Sequence, residues 1–364
     1  MTNFLIRRLI QSVILLFFIS ALIYIILNLV PGGPFDMLRQ ANPRITQTQI
    51  DRLNAMLDLD KPILPGEYCP KIGKIQEPCR LDQGRYLRWL GRVATGDFGK
   101  SWTVSTGVKV TKIIGYRFGY TFVLMFISEL LALLIAVPIG IYSAVHQYSK
   151  VDFSVTAFAF FGQSMPTFWT GLLVMSLFAV ALGWFPTGGV KSSGMPGDIV
   201  EAFGNLFSLG TAYPKLSGKE FKVIMDGLWH VALPAAVLVY FTMAGWVRFT
   251  RAAMLEVLRQ DYMRTARAKG LAERLVINKH GLRNALIPLI TLEALNIPNL
   301  FGGAIITETI FSWPGMGRQL IDAITSVDWP IVQGILVITA VLIVFSNLLA
   351  DILYAIIDPR IKYS

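Results

Sequence analysis

The chain has 364 residues, of which 54% are apolar and 15% charged. Its mean hydropathy is +0.56 over the whole length, where an ordinary soluble domain carries roughly 25% charged residues. This excludes a plain water-soluble enzyme, a disordered chain and a collagen-like rod, and leaves a polytopic membrane protein. The net charge of +10, from 33 Lys and Arg against 23 Asp and Glu, then asks first which membrane face is basic, and only after that about nucleic acid.

A membrane helix needs about 20 mostly apolar residues. Six stretches qualify: Leu9–Val30, Gly119–Val145, Phe153–Leu182, Trp229–Val247, Leu286–Ile310 and Ile331–Ile357. The expected fold class is therefore an all-α polytopic membrane protein with six transmembrane helices, each satisfying its own backbone in the absence of water. The first span is too long for a cleaved leader, and no small-x-small site precedes Pro31.

Six spans put both termini on one side, here taken as cytoplasmic. The inner segments then hold Arg7, Arg8, Lys150, Arg360 and Lys362, with nine Lys and Arg between Arg248 and Arg283. The positive-inside rule supports this orientation. The segment from Pro31 to Arg117 has 14 Lys and Arg, but also eight acids, and it is long. Long loops translocate largely regardless of charge. Residues 1–117 read as the first span plus this outer loop, and 118–364 as a core of five spans.

Trp89, Trp102 and Tyr120 are expected at headgroup level. Cys69 and Cys79, the only cysteines, lie in the outer loop. A disulfide there is the first expectation and two free thiols the second; zinc would need further ligands, and no His lies near. The second outer loop, about 183–227, reads equally as a solvated connection or as a contact surface for a soluble partner.

Ala94-Thr95-Gly96-Asp97-Phe98-Gly99-Lys100-Ser101 fits a relaxed phosphate-loop pattern. That loop works between a strand and a helix N-terminus, and neither flank has that character. The three histidines form no His-Glu-x-x-His, and Gly162-Gln163-Ser164-Met165-Pro166 lacks the second glycine of a nucleophile elbow. No catalytic residue and no metal site are expected. Acids inside spans are functional candidates by default. Glu308 and Asp351 lie near span ends, where water or backbone donors satisfy them. Glu129 and Glu293 are interior, and with Ser164 and Pro166 they are candidates for a translocation path. Pro138, Pro166, Pro234 and Pro298 are candidate pivots or static kinks.

The most specific stretch is Tyr262-Met263-Arg264-Thr265-Ala266-Arg267-Ala268-Lys269-Gly270. It reads as a short cytoplasmic helix with Lys269 in its last turn and Gly270 at its C-terminus. The small residues Thr265, Ala266 and Ala268 would let another protein surface approach. This stretch resembles the coupling-helix motif of binding-protein-dependent ABC importer permeases, nearest the dipeptide/oligopeptide branch. Ile6-Arg7-Arg8-Leu9 with Pro31-Gly32-Gly33-Pro34, Tyr86–Leu90 through Gly96–Gly99, Glu308–Phe311 with Pro314–Gly317, and Asp351, Tyr354 and Asp358-Pro359-Arg360 resemble the same branch in order. The general motif begins Glu-Ala-Ala and ends Leu-Pro; here those positions are Arg264-Thr265-Ala266 and Leu282-Arg283.

The resemblance implies the type I ABC importer permease fold in a bacterial or archaeal cytoplasmic (inner) membrane. It implies a homologous second permease subunit, two cytosolic ATPase subunits that carry ATP and Mg, an extracytoplasmic substrate-binding protein, and membrane lipid around the chain. It implies no cofactor on this chain and no nucleic acid. The expected substrate is a peptide, with oligosaccharides or other solutes as the alternative. An ion-coupled secondary transporter is the alternative of another class.

Overall fold

The computed structural model describes residues 2–29, 61–68, 71–72, 75–76, 80–82, 84–202, 218–302 and 304–357, with isolated positions 46, 48, 52, 54 and 59. Cys69 and Cys79 lie outside the described residues. Helix α1 is Thr2–Leu29. Four short strands follow: β1 Gly66–Tyr68, β2 Lys71–Ile72, β3 Ile75–Gln76 and β4 Arg80–Asp82. β1 pairs antiparallel with β4, Tyr68 facing Arg80, and β2 pairs with β3. The other elements among the described residues are helices. α2 is Arg85–Ala94, α3 Val110–Val145, α4 Lys150–Ser164 and α5 Thr167–Val174, which continues as a wider π-wound stretch to Ala181. α6 is Gly218–Leu258, α7 Asp261–Ala268 and α8 Glu273–Leu275, which runs through another π-wound stretch, Val276–Leu282, into α9 Arg283–Asn296. α10 Asn299–Gly302, α11 Ile305–Ile310, α12 Met316–Thr325 and α13 Trp329–Ile357 complete the chain.

Among the described residues, five helical stretches are long and apolar enough to cross a membrane, and six if one bent pair counts as a span. That pair, α4 with α5 and its continuation, corrects the expectation of an unbroken third span: it bends by 105°. The cause is Pro166, which has no N–H and forces Met165 out of the helical region, to φ −82° and ψ 137°. The fifth span is interrupted too, with Ile297 and Pro298 separating α9 from α10. Pro138 and Pro234 instead sit inside continuous helices.

The chain divides into two compact units. The first combines Met1–Tyr116 with Gln319–Val344. Its core joins Tyr24 of α1, Tyr86 and Trp89 of α2, and Val337 of α13. Tyr86 and Trp89 are three residues apart and so share one face of α2. The buried Tyr86 hydroxyl meets Ser20 Oγ at 3.0 Å, and the Tyr24 and Trp89 rings lie 5.1 Å apart.

The same unit explains the loop that imitates a phosphate site. Asp328 is fully buried. One of its carboxylate oxygens accepts hydrogen bonds from Ser101 Oγ at 2.6 Å and from the amides of Trp102, Thr103 and Val104 at 3.0, 2.9 and 3.1 Å. The backbone here does cradle an anion, but the anion is a side chain of the same protein.

The second unit combines Arg117–Arg318 with Phe345–Ser364. Lipid tails are as apolar as leucine, so close packing and polar ties must hold these helices together. α3 approaches α6 so closely at Gly140 that a Cβ there would lie 2.6 Å from Thr250 Cβ, and at Gly162 of α4 one would lie 2.8 Å from the Tyr240 ring. Tyr120 is fully buried. Its hydroxyl donates to Asp198 at 2.5 Å, and Trp313 donates to its backbone carbonyl at 2.9 Å. Asp198 is itself the cap that accepts from the amides of Val200 and Glu201, so this part of the 183–227 segment is anchored. Glu308 is satisfied, as expected of a span end: it accepts from Thr121 Oγ1 at 2.8 Å and from the Arg318 amide at 3.0 Å. A Cβ on Gly315 would sit 2.4 Å from its carboxyl carbon, so that glycine leaves room for the acid.

Asp328→Ala leaves three amides and a hydroxyl without their acceptor, at about 1–3 kcal/mol for each donor that stays buried. Little folded protein should then reach the membrane fraction. Asp328→Asn keeps one acceptor oxygen and should accumulate to an intermediate level; equal levels of all three proteins would refute the anchoring role.

Candidate functional site

The stretch singled out as a short helix is α7. Gln260 precedes it in an extended conformation, Asp261 stands in its first turn where a negative charge suits the dipole, and Lys269 caps its C-terminus. Gly270 follows with φ +75°, the left-handed conformation that ends a helix and favours glycine. Only Arg259 and Gln260 separate α7 from the end of α6, so the two form one bent lever.

The two faces of α7 differ. Met263 and Ala266, three residues apart, are buried against Val276 with Val257 and Leu258. Tyr262, Arg264, Thr265, Arg267, Ala268, Lys269 and Gly270 are exposed. Ala266 therefore belongs to the anchoring face, unlike the other small residues of the stretch. Arg267 forms an exposed pair with Glu273 at 2.9 Å, which holds its guanidinium above the usual range and ties α7 to α8. The free surface is small, basic and rigidly mounted.

Above the lever lies a buried ion pair that sequence reading missed. Asp152, in the first turn of α4, is 4% exposed. It receives both Nε and Nη2 of Arg251 on α6, at 2.7 and 2.8 Å, together with Ser143 Oγ of α3 and the Tyr148 amide. The available signal was local: Ser149 and Asp152 stand three apart, and the Ser149 side chain does cap the helix by accepting from the Asp152 amide. Nothing in the sequence points to Arg251, 99 positions away.

Glu129 and Glu293 are brought together. Glu129 Oε1 accepts from Trp246 Nε1 at 2.8 Å and from Asn296 Nδ2 at 3.2 Å. The Glu293 carboxyl is close enough to Glu129 for the two to act on each other electrostatically, and its Oε2 has no partner among the described residues. Beside them is a cavity of about 460 Å³, lined by Glu129, Thr242, Trp246, Asn296 and Asn299 among apolar neighbours. Glu129 falls near the middle of α3, which places this polar cluster deep in a spanning helix. Ser164 and Pro166 do not line that cavity. Ser164 Oγ donates to the Phe160 carbonyl, and Pro166 makes the break between α4 and α5. Trp246 and Asn296 were legible only as an indole donor and an amide within otherwise apolar helices.

Comparison with known proteins gives a single picture. A family model described as the binding-protein-dependent transport system inner membrane component matches residues 136–363. A second, its N-terminal membrane component, matches residues 1–125. The chain is 40% identical over 363 residues to the oligopeptide transport system permease protein AppB of Bacillus subtilis, covering the whole of both chains. It is 36% identical over 366 residues to the di/tripeptide transport system permease protein DppB of Pseudomonas aeruginosa, and 35% over 363 to the dipeptide transport system permease protein DppB of Escherichia coli, covering 100% of this chain and 99% of each relative.

Arg251→Met strands a mostly buried carboxylate. Breaking a buried pair costs about 3–5 kcal/mol, and with the Arg251 side chain 27% exposed the loss should be nearer about 2 kcal/mol. Adding Asp152→Asn should restore much of the unfolding midpoint in detergent. Additive losses in that double-mutant cycle would refute a coupled pair.

Proposed function

The chain belongs to the binding-protein-dependent transport system inner membrane component family, and on that premise we propose that it is the membrane-spanning permease subunit of an ATP-driven peptide importer. The names of its full-length relatives support the peptide assignment. As a permease it does not hydrolyse ATP itself. ATP and Mg belong to two cytosolic ATPase subunits, and a homologous second permease and an extracytoplasmic binding protein complete the assembly. The proposed setting is a bacterial or archaeal inner membrane, with both termini cytoplasmic and residues 1–117 as an addition to the core 118–364. The two family models, which meet between residues 125 and 136, support that division.

The observation that carries the reading is the two-faced helix α7. Its buried side fixes it to the permease through Met263 and Ala266, and its exposed side is left for a partner. We assign that side, Tyr262, Arg264, Thr265, Arg267, Ala268, Lys269 and Gly270, to a groove on one ATPase. Closure of the ATPases on ATP would move α7, and the two-residue turn would pass the motion to α6. Arg251 and Asp152 would carry it on to α4. Work is done by differential affinity: the ATPases must bind one permease state better in their closed form and the other in their open form.

Ala268→Trp adds bulk to an exposed position and leaves the buried face alone. It should permit membrane insertion but lower binding-protein-stimulated ATP hydrolysis by roughly tenfold, about 1.4 kcal/mol. Full assembly with unchanged stimulation would sink the assignment.

The cavity beside Glu129 and Glu293 is the proposed stretch of translocation path on this subunit. An acid is costly in a membrane and is retained where it meets water or a polar ligand. Glu129→Gln keeps an acceptor oxygen for Trp246 and removes the charge. In proteoliposomes containing the whole importer, peptide uptake should fall several-fold while ATP hydrolysis persists. Uptake equal to that of the parent complex would remove Glu129 from the path.

A further inference from the structure

The first unit holds another cavity, of about 370 Å³, where α1 ends and α13 begins. Its depth follows from helix geometry. Tyr24 precedes the last residue of α1, Leu29, by five positions, and Gln333 follows the first residue of α13, Trp329, by four; both line the cavity. At 1.5 Å per residue they lie about 6–8 Å inside the ends of two spanning helices. The cavity thus straddles the boundary between hydrocarbon and headgroups.

Three kinds of surface meet there. The wall is aromatic, formed by Tyr24 with Trp89, Trp102 and Trp329, the residue types that concentrate at a membrane interface. The rim carries Arg92 and Lys100, both exposed, and neither has an ion-pair partner among the described residues. Asp97 also borders the cavity, with its Oδ1 taken by the Gly99 amide at 3.0 Å. Two cations against one carboxylate leave a surplus of one positive charge. At the deeper level Gln333 offers an amide group, while Asn28, one residue from the end of α1, lines the cavity with its Nδ2 donating to the Tyr24 carbonyl at 2.8 Å.

A free inorganic anion would meet the two cations and leave the aromatic wall and deep amide without a role. A purely apolar ligand would leave the cations without one. A phospholipid answers all of these surfaces: one phosphodiester matches the single surplus charge, its glycerol region lies against the aromatic wall and the Gln333 amide, and its acyl chains continue into the hydrocarbon that α1 and α13 span. We propose that this cavity is a binding site for one phospholipid, held by its phosphodiester between Arg92 and Lys100. With the N-terminus cytoplasmic, the lipid comes from the outer leaflet. The leaflet rests on the orientation proposed above, while the site itself rests on the spanning helices and stands whatever the importer carries.

The test is native mass spectrometry of the intact complex after a detergent wash that strips bulk lipid. One phospholipid per copy of this chain should survive in the parent protein, and occupancy should fall at least tenfold in Arg92→Gln/Lys100→Gln. Both residues are exposed, and a monodisperse elution profile checks that the variant is folded. On the unmodified protein, a phospholipid with brominated acyl chains should quench tryptophan fluorescence, and millimolar glycerol phosphate should not reverse the quenching. Absence of any retained lipid, equal retention in the variant, or displacement by glycerol phosphate would each overturn the proposal. The last would leave a site for soluble phosphates.

Discussion

A carboxylate taken out of water must find its donors inside the protein, and this requirement organises both units. Five acids meet it in the same way. Asp328 is caught by residues 101–104, Asp198 by Tyr120 and two helix amides, Glu308 by Thr121 and the Arg318 amide, Glu129 by Trp246 and Asn296, and Asp152 by Ser143, Tyr148 and Arg251. All but the helix cap join segments far apart in sequence. In a chain only 15% charged, such ties are few, and each is accordingly specific. Apolar contact cannot replace them, because a spanning helix that leaves a leucine neighbour finds an equivalent environment in lipid. The buried polar tie distinguishes one helix arrangement from another where the hydrophobic effect cannot.

The same economy accounts for the mechanics of the second unit. α6 is 41 residues long and turns into α7 within two residues. A displacement at α7 therefore cannot be absorbed locally. Met263 and Met254 are both fully buried, and a Cβ on Gly281 would touch the terminal methyl of each at 3.3 and 3.6 Å, so the base of the lever is packed without slack. Packed interfaces change between discrete arrangements rather than deforming smoothly. Arg251 and Asp152 tie α6 to α4, whose far end meets Pro166 and the 105° bend into α5.

Much of this was legible in the residues. The spans followed from hydropathy and α7 from its composition and terminal glycine, because both signals are local. Glu308 read correctly as a satisfied end. The bend at Pro166 was legible as a possible kink, but not in size, since a proline fixes what its own residue cannot do and leaves the new direction to packing. The two short β-hairpins between Gly66 and Asp82 gave no usable pattern, as strands of two or three residues are below the length at which alternation can be counted. The preference of tyrosine for headgroup level says nothing of the buried hydrogen bond that Tyr120 makes to Asp198, 78 positions away. Partners across long sequence separation, such as Arg251 for Asp152, leave no trace in a single sequence.

The phosphate-loop likeness at Gly96–Ser101 is the most instructive error avoided. A phosphate loop and the turn around Ser101 obey one rule: successive backbone N–H groups in a tight turn form a concave site for an anion. Pattern matching identifies the turn but not the anion. Here the carboxylate of Asp328 occupies it, 227 residues from Ser101. A nucleotide would have to displace a side chain that is fully buried and takes five hydrogen bonds from residues 101–104. The site is consumed by folding. The turn at Ser101–Val104 and the acid are two halves of one structural joint, and neither half can be read for function without the other.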